Sequence, residues 1–201
     1  MASKLFAQFY DRLIQGMERT HFSAVRKSLL PEVEGNLLEI GAGTGANLPY
    51  LDRKGQKIFL EYNPWMMKQA LKKSLKQLGE PVIGSGSELP FRDHSFDTVL
   101  VTLVLCSVGN LPLTTKEIER VLKPGGKLLV LEHVKSEKRW MAAFQRTITP
   151  LWKHLADGCH LDRDTDGELQ KAFRKREQNR FEIQNTPFIY GVYKKIDHPE
   201  D

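Results

Sequence analysis

The sequence predicts an α/β fold: a doubly wound, mostly parallel sheet with helices on both faces. Three observations predict it. From residue 36 onward, short apolar runs alternate with amphipathic segments. The first run ends in a glycine-rich turn, Glu39-Ile-Gly-Ala-Gly-Thr-Gly45. The C-terminal stretch holds two strand patterns joined with no room for a helix. Alternating strands and helices with near-continuous apolar strands indicate a parallel sheet covered on both sides, and two strands so close in sequence must pair antiparallel.

In chain order, Leu5, Phe6, Phe9, Tyr10, Leu13, Ile14 and Met17 keep the i, i+3, i+4 spacing of an amphipathic helix. A second helical pattern, Phe22 to Leu30, ends at Pro31. These helices have three readings: they cover the core, lie on a membrane surface, or fold over a ligand pocket with Phe9, Tyr10 and Leu13 as a lid. Strands are expected at Asn36–Ile40, Lys57–Glu61, Pro81–Ile83, Thr98–Leu105 and Lys127–Glu132. Asn63 before Pro64 reads as a helix N-cap, and Gly79 as the C-terminal stop of that helix. Thr114 and Glu117 read as a capping box, with the helix ended by Pro124-Gly125-Gly126. Trp140, Phe144, Ile148, Leu151, Trp152 and Leu155 mark a further helix, expected to wall a pocket. Phe181 to Lys194 forms the terminal hairpin, and Lys68–Lys76 and Lys171–Arg180 read as solvated helix faces.

At 201 residues the chain suits one domain, divided into N-terminal helices (1–30), a strand–helix core (36–132) and a C-terminal part (133–201). A net charge of +5 is compatible with anionic partners without demanding them. Only two cysteines occur, Cys106 and Cys159, too few for a disulfide scaffold or a four-cysteine metal site. The histidines show no H-x-x-x-H or H-E-x-x-H spacing, so no metal is expected. The amino terminus lacks a secretion signal and no run is long enough to span a bilayer, which makes the cytoplasm the expected home.

Gly41, Gly43 and Gly45 allow backbone N–H groups to approach a polar ligand closely. Glu61 ends the second strand 20 residues beyond Gly41 (61 − 41), where a carboxylate accepts both hydroxyls of a ribose. The turn also satisfies the dinucleotide pattern G-x-G-x-x-A, which keeps an NAD-dependent oxidoreductase open. Glu39, two residues before the first glycine, would repel a pyrophosphate but suit a cationic amine or sulfonium.

Five ordered blocks extend this pattern: Leu38 to Gly45, Glu61, Gly84-Ser-Gly-Ser-Glu-Leu-Pro-Phe91, Ser95-Phe-Asp-Thr-Val-Leu100 and Val121-Leu-Lys-Pro-Gly-Gly126. On these blocks the chain resembles the class I S-adenosylmethionine-dependent methyltransferases over most of its length. The resemblance implies a Rossmann-like sheet of seven strands, the last antiparallel, which agrees with the hairpin. It implies S-adenosylmethionine as cofactor, with the glycine loop (Gly41, Ala42, Gly43, Gly45) at its methionine and ribose portions. Glu39 would lie beneath the loop, Glu61 at the ribose, and Tyr62 and Met66 beside the adenine. Many relatives carry an aspartate where Ser85 stands, so either the Ser85 hydroxyl, a weaker acceptor, or a backbone carbonyl near Gly86 and Ser87 would serve the adenine amino group. Thr102 and Leu103, after the fourth strand's apolar run, would adjoin the reacting methyl.

Thr102-Leu-Val-Leu-Cys-Ser-Val108, Glu132-His-Val134, Trp152-Lys-His-Leu-Ala-Asp-Gly-Cys159 and Pro187-Phe-Ile-Tyr-Gly191 look like the small alkyl-thiol methyltransferases of the methyltransferase-like group. That group is membrane-anchored in animals; in place of its long apolar anchor this chain has the amphipathic start at residues 5–17. Similarity to quinone and phospholipid methyltransferases is more general and keeps those acceptors open. The implied function is methyl transfer to a small, lipophilic acceptor: a thiol, amine or quinol. Nucleic acid is not expected, because no N/D-P-P-Y/F block follows the fourth strand. Three residues are candidates for catalysis, each with a plainer alternative. Thr102 contacts the cofactor or is a buried backbone-bonded hydroxyl. His133 is a general base or structural. Asp157 orients or deprotonates substrate, or caps the turn before Gly158. A noncatalytic module binding the cofactor or a membrane surface is the reading from another class.

Overall fold

The computed structural model describes residues 4–196. Seven strands form one sheet in the order β3-β2-β1-β4-β5-β7-β6: β1 (Leu37–Ile40), β2 (Lys57–Glu61), β3 (Glu80–Ile83), β4 (Phe96–Thr102), β5 (Leu122–His133), β6 (Phe173–Ile183) and β7 (Thr186–Lys195). The first five strands run parallel, and β7 inserts antiparallel between β5 and β6. The hairpin closes through Gln184 and Asn185, both at positive φ (49° and 64°), the geometry of a tight turn that matches strand twist.

Side-chain alternation along the strands produces the two layers. Leu38, Ile40, Val99, Val101, Leu128 and Val130 point to one face, where they pack with Ile118 and Val121 of α4 (Leu111–Val121) and Leu169 of α6 (Thr165–Leu169). Leu37, Leu100, Leu129 and Leu131 point to the other and meet Phe22, Val25 and Leu29. The N-terminal region is one helical run, α1 (Lys4–Met17) and α2 (Ser23–Leu29), joined by a π-helical segment at Glu18–Phe22. α3 (Pro64–Lys72) covers Phe59 of β2 through Met67 and Ala70. α5 (Arg139–Leu155) precedes the turn at Asp157 and Gly158.

Several expectations are corrected. The cap of α4 is Asn110, whose side chain accepts from the Leu113 N–H at 3.0 Å, not a Thr114–Glu117 box. Pro112 in the first turn fixes that start, Thr114 Oγ1 donates back to the Asn110 carbonyl, and Glu117 instead accepts from the Leu89 N–H. α3 ends at Lys72, well before Gly79; a Cβ on Gly79 would stand 2.1 Å from the Lys57 carbonyl, so that glycine serves a close backbone approach. Pro124 to Gly126 lie in a bulge within β5, where the β4 register jumps, rather than before the strand. Lys171–Arg180 is not a helix face: from Phe173 it belongs to edge strand β6, whose charged side chains discourage pairing with a further strand.

Candidate active site

The site is built at the carboxyl ends of β1, β2, β4 and β5, where ligands of such sheets bind. Beyond β1 the backbone turns through Gly41 at φ 73°, and both the Gly41 and Ala42 N–H groups donate to the Leu60 carbonyl at 2.8 and 3.1 Å. This ties the loop to the end of β2. There Glu61 takes the Gly43 N–H on Oε2 (2.8 Å) and the Asn63 N–H on Oε1 (2.7 Å). Asn63 is the expected cap of α3, accepting from the Trp65 and Met66 N–H groups. One carboxylate therefore holds the glycine loop and the first turn of α3 in register, and burial raises its pKa above the ordinary carboxylate value.

A cavity of about 640 Å³ opens above these groups. Gly41, Glu61, Tyr62, Gly86, Ser87 and Asp157 line it, together with Val104, Ser107 and Phe6. Ser85 also lines it, with its hydroxyl 2.9 Å from that of Ser87. Met66 is buried against the loop beneath Gly43 rather than on the cavity wall. Of the N-terminal helix it is Phe6 that faces the cavity; Phe9 and Leu13, expected as a lid, are exposed. A separate cavity of about 740 Å³ lies between the start of α5 and β6. Its Asp166 is already engaged by Lys175, Gln178 and Arg180.

Deeper in the site is a polar network that sequence reasoning missed. Asn47 Nδ2 donates to Glu39 Oε1 (2.8 Å) and to Thr102 Oγ1 (2.9 Å). Arg26, buried on α2, donates to Asn47 Oδ1, to Thr102 Oγ1 at 3.3 Å and to Glu18. Thr102 is buried, with its hydroxyl bonded to the Asn47 and Arg26 side chains rather than to backbone as the plainer reading expected. Glu39 is buried, and its Oε2 has no partner among the described residues. Burial raises its pKa to about 7, opposed by the Asn47 hydrogen bond and the Arg26 charge. A buried carboxylate oxygen without a partner beneath a glycine loop suits a cationic ligand group, so the residues fit S-adenosylmethionine.

The β4 end breaks off one residue past Thr102, because Leu103 takes φ 56° and its side chain packs on the α2 side of the sheet. The strand expected to reach Leu105 therefore stops at Thr102. Glu132, also missed, fixes the backbone beyond this break by accepting the Val104 and Leu105 N–H groups at 2.6 and 2.8 Å. Its neighbour His133 is buried with Nε2 at 3.1 Å from Cys159 Sγ. Asp157, at φ 48°, accepts from Asn63 Nδ2 at 3.1 Å, joining the C-terminal segment to the ribose side of the cavity.

The apolar stripe of α5 does not wall the pocket. Met141, Gln145 and Thr149 face inward, while Trp140, Phe144, Leu151, Trp152 and Leu155 are exposed. The inward polar groups are satisfied: Gln145 accepts from the Ser136 N–H, and Thr149 donates to the Gln145 carbonyl. Only the end of the helix, Lys153 to Leu155, reaches the cavity rim.

A seven-stranded sheet with an antiparallel seventh strand, and acids at the carboxyl-end residues 39 and 61 of its first two strands, defines the class as S-adenosylmethionine-dependent methyltransferases. A methyltransferase domain family matches residues 38–130. Thiol S-methyltransferase TMT1B of Rattus norvegicus is 34% identical over 194 residues, covering 94% of this chain and 78% of the relative. Human thiol S-methyltransferase TMT1A is 32% identical over 198 residues, 92% of this chain and 81% of the relative. A SAM-dependent methyltransferase from Thermotoga maritima superposes with TM-score 0.71 at 20% identity, over 96% of this chain and 98% of that one. The chain belongs to the methyltransferase family that includes these thiol S-methyltransferases. It is an S-adenosylmethionine-dependent enzyme with a small-molecule acceptor, and the oxidoreductase alternative finds no support.

Proposed function

We propose that the enzyme methylates the sulfur of a small lipophilic thiol. The observation that carries this reading is the continuity of one cavity from Glu61 to Val104, Ser107 and the end of α5, which supports an acceptor bound beside the cofactor. The thiol S-methyltransferase relatives support it, since this chain covers most of their length. When bound, S-adenosylmethionine supplies an electrophilic methyl on a cationic sulfur. Glu39 and Glu61 bind its amino and ribose ends, with Ala42, Gly43 and Gly45 shaping the loop between them. Tyr62, Gly86 and Ser87 bound the adenine, and Met66 supports the loop from below. Thr102 and Leu103 are positioning residues, the first by holding Asn47 against Glu39 and the second by turning the chain toward Val104. Asp157 aligns the acceptor wall through Asn63. Alignment and exclusion of water are the main demands of an in-line displacement. Residues 1–30 act as a cover through Phe6, residues 36–132 as the cofactor core, and 133–201 as the acceptor side.

The acceptor arrives from a membrane surface. No helix among the described residues is long and apolar enough to cross a membrane. However, exposed Leu5, Phe9 and Leu13 on α1 and Trp140, Phe144, Leu151 and Trp152 on α5 form apolar faces, and these two helices supply Phe6 and Leu155 to the same cavity. α5 carries Arg139, Arg146 and Lys153 and no acid, which complements anionic lipid. The membrane is entered from the reducing, cytoplasmic side, in keeping with two free cysteines.

The test is to incubate the chain with S-adenosylmethionine and, separately, an alkyl thiol, an amine, a phenol and a demethylated quinol, and to measure S-adenosylhomocysteine. Turnover of the thiol above the others is expected. Turnover of the quinol alone, which demethylmenaquinone methyltransferase relatives at 31% identity make the second reading, would contradict it.

A further inference from the structure

Next to the cavity-lining residues Ser107 and Gly158, two cysteines and a histidine converge from three separate segments. Cys106 follows β4, His133 ends β5 and Cys159 follows α5. Their ligand atoms all lie within 4.8 Å of one another, and His133 Nε2 is 3.1 Å from Cys159 Sγ. Tetrahedral zinc, with Zn–S near 2.3 Å and Zn–N near 2.0–2.1 Å, sets its ligand atoms about 3.6–3.8 Å apart. The cluster's separations of at most 4.8 Å exceed that spacing by no more than about 1 Å. Its frame is rigid: the His160 N–H donates to the Cys106 carbonyl at 2.9 Å, Glu132 holds the backbone just before Cys106, and the Arg163 guanidinium donates to the Leu105 carbonyl at 2.7 Å.

We propose that Cys106, His133 and Cys159 bind one zinc ion, whose fourth position takes the sulfur of the acceptor thiol. The inference rests on the thiol reading given above. Cys106 and His133 are buried, whereas Cys159 is partly exposed and follows Gly158, which lines the cavity beside Ser107, so the open coordination position lies on the cavity side. Two thiolates and one imidazole leave zinc with three protein ligands and a vacancy, the arrangement of a catalytic rather than a structural site. A thiol entering that vacancy loses its proton to solvent and binds as thiolate, because a coordinated thiol is deprotonated outright. The thiolate sulfur then forms a bond to the methyl carbon as the sulfonium–methyl bond breaks. The electron pair of the broken bond stays on the departing sulfur, giving neutral S-adenosylhomocysteine. The thioether product carries no charge and dissociates from zinc. Coordination gives the acceptor thiol a route to its thiolate that needs no protein base. It also gives a shared purpose to two cysteines that local sequence spacing leaves unconnected.

The experiment is cobalt substitution of the full chain, purified reduced and freed of metal by chelation. One cobalt per chain is expected, with a sulfur-to-cobalt charge-transfer band and the intense visible bands of a tetrahedral site. Cys106→Ser and Cys159→Ser should each lose the charge-transfer intensity of one thiolate while keeping S-adenosylhomocysteine affinity by calorimetry. An alkyl thiol should shift the visible bands of the parent chain, and an alcohol of the same length should not. Failure to bind cobalt, or recovery of the two cysteines as a disulfide under reducing conditions, overturns the site. A cobalt spectrum that no thiol perturbs overturns it as well, even if the thiol is methylated. Thiol-responsive cobalt with methylation of quinol alone leaves the metal site standing and removes the thiol reading.

Discussion

Val104 rests against Gly41: a Cβ built on that glycine would stand 2.3 Å from Val104 Cγ2. The loop after β4 thus packs directly on the first glycine of the cofactor loop, which is itself at φ 73°. Gly41→Ala must either displace Val104 or abandon the turn, at a cost of about 1–3 kcal/mol. Chemical denaturation should register that loss, together with weakened S-adenosylhomocysteine binding by calorimetry. Gly16, inside α1 with open space around it, is the control. Gly16→Ala should stabilise the chain by about 0.5–1 kcal/mol and leave binding alone.

The bond from Asn63 to Asp157 assigns Asp157 a positioning role. Asp157→Asn keeps an acceptor for Asn63, and asparagine tolerates the φ of 48° found there. Turnover should therefore survive in Asp157→Asn and fall in Asp157→Ala, mainly through a higher KM for the acceptor. A general base would behave differently, since its loss costs about 10²–10⁴-fold in rate in either variant. Steady-state kinetics of the two variants separates these roles.

Glu39 links stability to pH. Its pKa rises from 4.5 to about 7 on folding, so the folded chain holds this proton more tightly than the unfolded chain. The associated stability is fully present below pH 4.5, declines as pH rises toward 7 and is absent above, a difference of about 3 kcal/mol. Glu39→Gln keeps an acceptor for Asn47 without the buried charge. Without ligand it should melt higher than the parent at pH 8 and match it near pH 4, while binding S-adenosylmethionine more weakly at pH 8. Thermal melts at the two pH values, with and without cofactor, check the sign.

The outward apolar face of α5 predicts sedimentation with anionic vesicles. Phe144 and Leu151 are exposed and lie away from the cavity. Phe144→Glu with Leu151→Glu should abolish vesicle binding and leave turnover of a water-soluble short thiol unchanged. Vesicle binding that survives the double change would remove α5 from the membrane contact.

What could be read from the sequence divides along a physical line. The glycine turn, Glu61 and the Asn63–Pro64 cap were legible because each is fixed by residues adjacent in the chain or by a recurrent spacing. The hairpin was legible from the shortness of its connection, though not the length of β6: polar, basic residues on an edge strand lack the apolar alternation that reveals a half-buried one. Arg26, Asn47 and Glu132 were invisible because each is tied to a segment distant in sequence; Arg26 meets Thr102 across 76 residues and Asn47 meets it across 55. The Cys106–His133–Cys159 cluster escaped for the same reason, since metal spacings are recognised only when ligands share a local segment. For α5 the periodicity located the helix but not its facing, because an apolar stripe marks a buried face and a membrane-seeking face alike. Two cap-competent residues, Asn110 and Thr114, competed for the start of α4, and Pro112 decided between them.

The central claim is that the acid at the end of β2 recognises the cofactor's ribose. Calorimetric titration of S-adenosylhomocysteine into the parent chain and into Glu61→Ala, with folding of both checked by circular dichroism, tests it most directly. Loss of charge-assisted hydrogen bonds worth about 1.5–3 kcal/mol predicts affinity weakened roughly 10- to 150-fold in the folded variant. Equal affinity in the two folded proteins would contradict the assignment.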